Sequence, residues 1–241
     1  MTKGTLAHDV FENLFRAGTP LPTAAKIKSA AGKLLNEAIL RLAPFLTGTE
    51  WYVERRNLLN DVETAALRWR DLLVRCDANI LGVETSLTGE FEGVPIRGRT
   101  DLILSLPSGR IFVVDYKKST SRSRRTCMEE GYDLQTSLYR QMLRFGKVAD
   151  GGGEALSLAL KERGEIGVLY YMMDDQRALT DTSGWIPSSV SGVQELGSEI
   201  SVNGEVLVRA RIRALRSGKI PLNREDDAKT FEKAGVKTYA L

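Results

Sequence analysis

Two aspartates and a lysine stand near the ends of two consecutive apolar segments in the middle of the chain. Asp101 lies in GRTDLIL, and Asp115 and Lys117 close the segment IFVVDYK. Because side chains two positions apart on a strand point to the same face, Asp115 and Lys117 are expected side by side. Two carboxylates and an ammonium can hold a divalent cation beside a phosphate, whereas unpaired charge is costly in a packed core.

The alternative is that Asp115 and Lys117 form an ion pair on the surface at the end of a strand, since so short a motif also occurs by chance. The apolar run before Asp115 favours the metal site, because it places the pair at the end of a buried strand. Mg²⁺ prefers oxygen ligands and keeps several waters, so two carboxylates would leave room for a water and a phosphate oxygen. A bound metal acidifies such a water, and Lys117 would lie beside it.

The elements that must position these residues follow from periodicity and turn residues. The pattern predicts helices over 5–16, 23–43, 58–77, 129–146 and 194–216, and strands over 80–91, 94–105, 110–117 and 165–173. The short connections predict that the first three strands form an antiparallel meander. We expect a basic loop over 118–125, a flexible glycine-rich break over 150–153, a loop around 185–187 and a polar tail from 221.

These elements predict an α/β fold, with a central mixed sheet flanked by helices and an N-terminal helical lobe. One domain of 241 residues is expected. Its parts are a helical segment over 1–78, a catalytic core over 79–175 and a C-terminal helix and tail over 176–241.

Composition is that of an ordinary globular protein, with 42% hydrophobic and 27% charged residues. The net charge of +3 is by itself a weak argument for a nucleic-acid partner. Cys76 and Cys127 are too few for a disulfide framework or a zinc site, so we interpret them as reduced thiols. No apolar run suits a membrane span, and the N-terminus lacks the apolar core of a signal peptide. We therefore expect a soluble cytoplasmic protein with no membrane partner.

The densest basic patch follows Lys117 directly. It consists of Lys118, Arg122, Arg124 and Arg125, with serines and threonines between them. Such a patch could neutralise phosphates and give salt-dependent, sequence-independent binding. The alternative is a solvated, mobile loop, which most charge runs are. Arg97 and Arg99 are further phosphate-binding candidates.

Four further residues could assist the chemistry. Gln135 and Tyr139 are spaced i,i+4 and therefore share one helix face, from which they could donate hydrogen bonds; a polar face with a core-packing tyrosine is the alternative. His8 is the single histidine of the chain, and it is either a metal ligand or an ordinary helix residue. Glu84 is either a carboxylate near the site or, equally well, an exposed strand residue without a role in the chemistry.

The order of these motifs resembles the PD-(D/E)xK nuclease superfamily. The motifs are G-R-x-D, a strand ending in V-D-Y-K and a helix with Q-x-x-x-Y, and they are most similar to the RecB/AddB-type branch, which includes phage-type exonucleases and CRISPR-associated relatives. Thr100 stands where the superfamily name has proline, a departure common in this branch. The match is good over 4–14 and 84–139 and loose elsewhere.

The resemblance implies a restriction-endonuclease-like core and roles for individual residues. Asp101, Asp115 and Lys117 would be catalytic, with Gln135 and Tyr139 approaching the lysine and the DNA backbone. His8, in a segment that resembles the branch's G-x-x-x-H helix, would join Asp101, Asp115 and the Tyr116 carbonyl around Mg²⁺ or Mn²⁺; imidazole suits Mn²⁺ better. Glu84 would be an accessory to the metal or the water.

The implied function is metal-dependent hydrolysis of DNA phosphodiester bonds, with exonuclease action expected. The implied setting is DNA recombination or repair, or the nuclease part of a helicase–nuclease, which makes DNA and a helicase the expected partners. Many members of the branch carry an iron–sulfur cluster, but the C-terminal region here has no cysteine, so none is expected. Two alternatives stay open: an inactive DNA-binding or scaffold module with the same fold, and a metal-dependent hydrolase with another substrate.

Overall fold

The computed structural model describes residues 3–219 except 132, 163 and 164, without the side chains of 136 and 149–152. The helices are α1 (Lys3–Leu14), α2 (Ala24–Leu42), α3 (Tyr52–Arg75), α4 (Ser121–Glu129), α5 (Gln135–Phe145), α6 (Glu154–Lys161) and α7 (Glu199–Arg216). The strands are β1 (Asn79–Phe91), β2 (Val94–Ser105), β3 (Ile111–Lys117), β4 (Lys147–Gly152), β5 (Ile166–Met172), β6 (Arg177–Thr180) and β7 (Val193–Glu195). Two short 3₁₀ turns, Pro44–Thr47 and Thr49–Trp51, lead from α2 into α3.

Within the described residues these seven strands form one mixed sheet in the order β4-β1-β2-β3-β5-β6-β7. β3 pairs in parallel with β5, and β6 with β7, while the other neighbours are antiparallel. The predicted meander of β1, β2 and β3 is confirmed. Because β3 and β5 are parallel, Lys117 and its pairing partner Met172 end at the same edge of the sheet.

The N-terminal helices cover one face of the sheet. Trp69 on α3 is fully buried there, with its ring centroid 5.7 Å from that of Tyr116 on β3 and 4.6 Å from that of Tyr171 on β5. Phe11 on α1 packs edge-on against Tyr116 at 4.9 Å. This aromatic cluster fixes α1 and α3 against the strands that carry the candidate catalytic residues.

The opposite face is covered in two parts. Tyr139, Met142 and Leu143 of α5 pack with Leu156 of α6 against the side chains of β2 and β3 that point away from the aromatic cluster. Met128 of α4 and the N-terminal part of α7 cover the alternate side chains of β5. β3 and β5 are therefore buried on both faces, which explains why both read as continuous apolar segments.

The basic segment is partly helical, which corrects the prediction of a loop over 118–125. α4 begins at Ser121, whose backbone N–H and hydroxyl both donate to Asp175 Oδ2, at 2.9 and 2.6 Å. Asp175 lies in the turn after β5, so this cap is supplied by a distant segment and leaves no local sequence signal. Of the helix predicted over 129–146, the structure confirms only Gln135–Phe145, which is α5; α4 ends at Glu129, and Gly131, with a φ of +74°, lies in the break between the two helices.

Other element predictions were wrong in the second half of the chain. The expected break over 150–153 includes the end of β4, which pairs with β1, and α6 follows it. β6 and β7 were not predicted, because strands of four and three residues are too short to show a period. α7 begins at Glu199, five residues later than expected, and the tail from 221 lies outside the described residues. Among the described residues no helix is long and apolar enough to cross a membrane.

Trp69→Ala should lower the free energy of unfolding by about 3–5 kcal/mol, because it leaves a cavity under β3 and β5. Val53→Ala, on the same helix at a side chain that is 61% exposed, should change it by less than about 0.5 kcal/mol. Urea unfolding followed by circular dichroism measures both. Equal stabilities for the two variants would contradict the packing described here.

Candidate active site

The catalytic edge is formed where the backbone pairing of β2 and β3 stops. The ladder runs from Ser105–Ile111 to Leu102–Val114. Beyond it, the Tyr116 backbone N–H donates to Asp101 Oδ2 at 2.6 Å instead of to a strand carbonyl. The side chain of Asp101 therefore takes the place of the next ladder bond, which fixes its carboxylate beside the end of β3.

Asp115, Lys117 and Gln135 form one hydrogen-bonded group. Lys117 Nζ lies 2.6 Å from Asp115 Oδ2 and donates to Gln135 Oε1 at 3.2 Å. Gln135 Nε2 donates to Asp115 Oδ1 at 2.8 Å. Gln135 is the first residue of α5, so the start of that helix delivers the amide to the end of β3. The structure therefore brings these three predicted site residues together.

Tyr139 extends the group away from solvent. Its hydroxyl accepts from Gln135 Nε2 at 3.0 Å and donates to the Arg99 carbonyl at 2.7 Å. The residue is only 8% exposed. We expected this hydroxyl to contact a DNA phosphate, but both of its hydrogen bonds are made within the protein. Tyr139 is a positioning residue that ties α5 to β2.

His8 and Glu84 approach Asp101 from two other elements. His8 Nδ1 on α1 lies 3.5 Å from Asp101 Oδ1. Glu84 on β1 lies opposite Asp101 on β2, because the preceding residue, Val83, pairs with Leu102. The φ of Glu84 is +47°, which is unusual for a residue with a side chain. Backbone strain of this kind concentrates at functional sites. Glu84 also forms an ion pair with Arg99, with Oε2 2.9 Å from Nε.

Three of these groups have a raised pKa, and the causes are burial and neighbouring charge. Asp115 is only 4% exposed, and burial, together with the neighbouring charge of Asp101, raises its pKa to about 6 despite Lys117. For His8, burial lowers the pKa, but the hydrogen bond and charge of Asp101 outweigh it and leave the pKa above its usual value. Burial and the charge of Asp101 likewise raise the pKa of Glu84.

These residues fit a hard divalent cation. Asp115 Oδ2 is buried and, apart from the Lys117 ammonium, has no hydrogen-bond donor. Oxygen donors of Asp101 and Asp115 match the ligand preference of Mg²⁺ and Mn²⁺. Within the described part of the chain, no three side chains among His, Cys, Asp and Glu are already spaced as a metal cage. Ligation by His8, or by the Tyr116 carbonyl, stays a prediction.

Lys118 does not offer its charge to solvent, which corrects its expected role as a phosphate contact. Its side chain is 10% exposed, and the ammonium pairs with Asp61 on α3 at 3.1 Å and with Asp174 in the turn after β5. Burial lowers the pKa of this ammonium, but the hydrogen bonds and charges of Asp174 and Asp61 outweigh burial and leave the pKa raised. Lys118 therefore joins α3 to the catalytic edge.

The other basic residues lie on α4 and at the sheet edge. Arg122 is exposed, and Arg125 is paired with Glu129 one turn along the helix. Arg124 is turned inward, with its guanidinium 4.7 Å from the centroid of the Tyr170 ring and 3.2 Å from Asp133 Oδ2. Arg99 is 62% exposed despite its pair with Glu84, and Arg97 is exposed. Arg97, Arg99, Arg122 and Arg125 therefore remain candidates for phosphate contacts.

Sequence reasoning missed the residues that hold α4 and the start of α5 in place. Asp133 accepts from the Tyr170 hydroxyl at 2.5 Å as well as pairing with Arg124, and Asp175 caps α4. Asp133 stands two residues before Gln135, so this buried bond anchors the segment from which Gln135 reaches the site. In the sequence, the one local signal for Asp133 is its position just before the helix that carries Gln135 and Tyr139.

Asp115→Asn should stabilise the metal-free protein above pH 7. Because the folded pKa of Asp115 is raised from 3.8 to about 6, its contribution to stability is present below pH 3.8 and is lost as the pH rises through 6. Removing the charge should therefore add about 1–2 kcal/mol at pH 8 and almost nothing at pH 4, with part of the gain offset by the unpaired Lys117.

Urea unfolding in EDTA at the two pH values measures this. Leu158→Ala, at an exposed position on α6, is the control and should be indifferent to pH. A variant that is less stable than the parent at pH 8 would show that the ion pair with Lys117 outweighs the cost of burial.

Comparison with known proteins gives a family match and a distant structural likeness. The chain resembles the crystal structure of a "Putative exonuclease" from Eubacterium rectale, with 12% identity, 92% of this chain and 78% of that chain covered, and a TM-score of 0.43, too low to carry an argument. No curated protein matches the chain. The model of the PD-(D/E)XK nuclease superfamily matches residues 1–231, nearly the whole sequence. The chain belongs to the PD-(D/E)XK nuclease superfamily.

Proposed function

We propose that this protein is a metal-dependent deoxyribonuclease that hydrolyses DNA phosphodiester bonds, with exonuclease action as its mode. The observation that carries the proposal is the group formed by Asp115, Lys117 and Gln135 beside Asp101. A buried carboxylate with a raised pKa at the end of a strand is costly to folding, and such arrangements concentrate at functional sites. Membership of a nuclease superfamily gives the reaction class.

Each residue has a role that its contacts support. Asp101 and Asp115 would hold Mg²⁺ or Mn²⁺, with the Tyr116 carbonyl and His8 as further ligands. The metal would supply an acidified water and charge compensation at the phosphate. Lys117 would orient the attacking water and stabilise the charge that develops on the phosphate oxygens. Glu84, opposite Asp101, is placed to assist as an accessory carboxylate.

Gln135 acts through Lys117 and Asp115. Its amide N–H donates to Asp115 and its amide oxygen accepts from Lys117. The amide therefore holds the ammonium and the carboxylate in a fixed relative position. If Asp115 held a metal ion, the carbonyl of Gln135 would still be free to accept from Lys117 and would keep the ammonium at the site. Tyr139 restrains Gln135 in turn, through a hydroxyl anchored on the Arg99 carbonyl.

Lys117→Ala should reduce the rate of DNA cleavage by about 10²–10³-fold, because it removes the positive group aimed at the reacting phosphate. Asp101→Ala should reduce the rate further, because it removes a carboxylate proposed as a metal ligand. The measurement uses end-labelled single- and double-stranded DNA with Mg²⁺, Mn²⁺ or EDTA, and the product ladder separates exonuclease from endonuclease action.

Lys161→Ala, at an exposed lysine on α6, is the matched control and should cut like the parent. Cleavage by Lys117→Ala at the parental rate would contradict the proposal. A parent that binds DNA without cutting it under all three conditions would favour the inactive scaffold module instead.

The basic residues should separate into two classes. Arg122→Ala should leave stability unchanged and lower the salt dependence of DNA affinity by about one unit of slope, since Arg122 is exposed. Lys118→Ala should cost about 1–3 kcal/mol of stability, because Asp61 and Asp174 lose their cation. Salt titrations of binding and urea unfolding measure the two effects. The reverse pattern would return Lys118 to the DNA contacts.

The finer parts of the proposal rest on the sequence alone. They are a role in recombination or repair, association with a helicase, absence of an iron–sulfur cluster and a cytoplasmic location. A hydrolase with another substrate class is disfavoured by the exposed arginines around the catalytic edge, Arg97, Arg99, Arg122 and Arg125.

A further inference from the structure

A fully buried tyrosine lies beside Asp115 on the neighbouring strand. Tyr170 of β5 pairs with Asp115 in the parallel ladder, and paired residues of adjacent strands point to the same face of a sheet. Lys117 Nζ lies 5.9 Å from the centroid of the Tyr170 ring. Tyr170 therefore borders the two charged residues at the end of β3, on the face of the sheet from which they reach the site.

Tyr170, Asp133 and Arg124 form a closed group of contacts. The Tyr170 hydroxyl donates to Asp133 Oδ1 at 2.5 Å. Arg124 Nη1 donates to the other carboxylate oxygen, Oδ2, at 3.2 Å, and its guanidinium lies 4.7 Å from the centroid of the Tyr170 ring. The Asp133 side chain is only 3% exposed. Because each member contacts the other two, the carboxylate of Asp133 is held in one position.

This group is joined to the catalytic residues through the start of α5. Gln135, the first residue of that helix, follows Asp133 by two positions. The N-cap residue of α5, Leu134, supplies no side-chain hydrogen bond, so the first turn of the helix has no cap of its own. The buried contacts of Asp133 therefore fix the point from which the Gln135 amide reaches Lys117 and Asp115.

The packing of α4 on the sheet does not require a buried ionic group at this place. Met128 of α4 already packs in one apolar cluster with Val168, Tyr170 and Met172 of β5. A buried carboxylate and guanidinium cost free energy of desolvation, which an apolar pair of similar volume would avoid. What the ionic group adds to this packing is a defined position for Asp133 and for the two residues that follow it.

We infer that Tyr170 is a positioning residue of the nuclease reaction: through Asp133 its hydroxyl fixes Gln135, and through Gln135 it fixes the Lys117 ammonium. The inference rests on the proposed function and adds to it a residue that touches neither the substrate nor the reacting atoms. A misplacement of about 1 Å at a catalytic group can cost up to about 10²-fold in rate. Loss of this one hydroxyl should therefore be visible in the rate of cleavage.

The test compares Tyr170→Phe with Tyr171→Phe in single-turnover cleavage of end-labelled DNA with Mg²⁺. Tyr171, the next residue of β5, is fully buried as well, and its hydroxyl donates to the Ala65 carbonyl at 2.7 Å on the other side of the sheet. Each substitution keeps the ring and removes one buried hydroxyl that donates a hydrogen bond. Both should therefore lower the free energy of unfolding by similar amounts, which urea unfolding measures.

The two variants should differ in the rate of cleavage. Tyr170→Phe should lower the maximal rate by about 10- to 100-fold and leave the half-saturating concentration within about twofold of the parent. Tyr171→Phe should cut within about twofold of the parental rate, because its hydroxyl has no connection to the site. In a Gln135→Ala background, Tyr170→Phe should cost less than about twofold further, since Gln135 is the residue through which it acts.

Arg124→Ala tests the same group at a less buried position. It removes the second partner of Asp133 and should lower the maximal rate while the affinity for DNA stays unchanged. Arg124→Lys can still pair with Asp133 and should recover most of the lost rate. A loss confined to DNA affinity would show that Arg124 binds the substrate, and would overturn the positioning role of the group.

Equal rates for Tyr170→Phe and Tyr171→Phe would overturn the inference, because the hydroxyl would then contribute to stability alone. A full loss of rate from Tyr170→Phe in the Gln135→Ala background would also overturn it, since the hydroxyl would act on another group. A parent that does not cut DNA overturns the proposed function and the inference with it. A parent that cuts, with Tyr170→Phe cutting equally fast, overturns the inference and leaves the nuclease.

Discussion

The arrangement depends on one buried carboxylate at the end of an inner strand. Asp115 is covered on both faces of the sheet, where its carboxylate pairs with Lys117 and accepts a hydrogen bond from the amide of Gln135. This local cost is tolerated because the rest of the molecule fixes the strand end. Trp69 and Phe11 hold β3 from one face, and α5 holds it from the other.

Positioning of the site is distributed over segments far apart in sequence. The Asp101 side chain replaces a bond of the β2–β3 ladder, Tyr139 ties α5 to β2, and Lys118 joins α3 to the turn after β5. Each of these contacts uses a polar side chain, and the Asp101 contact stands where the backbone pairing of β2 and β3 has ended. The catalytic edge is therefore held by hydrogen bonds and ion pairs, with the apolar cores behind it.

Much of this could be predicted from the sequence, and the reason differs between elements. β3 and β5 are long apolar runs, and Asp115 and Lys117 share one face of a strand by the period of two. The helix α4 could not be predicted from its own residues, because its cap, Asp175, comes from another turn. Lys118 shows the same limit: a lysine in a basic run looks solvated, and its two carboxylate partners become visible only in the folded chain.

The proposed function requires that Asp101 and Asp115 hold a divalent cation beside Lys117. A crystal structure with Mn²⁺ and a short single-stranded DNA, recorded with anomalous scattering, tests it most directly. We expect an anomalous peak bonded to both carboxylates, with Lys117 Nζ moved away from Asp115 Oδ2 toward a phosphate oxygen while it keeps Gln135 as a partner. Density for DNA without a metal peak at the carboxylates, and with the Asp115–Lys117 pair intact, would contradict it.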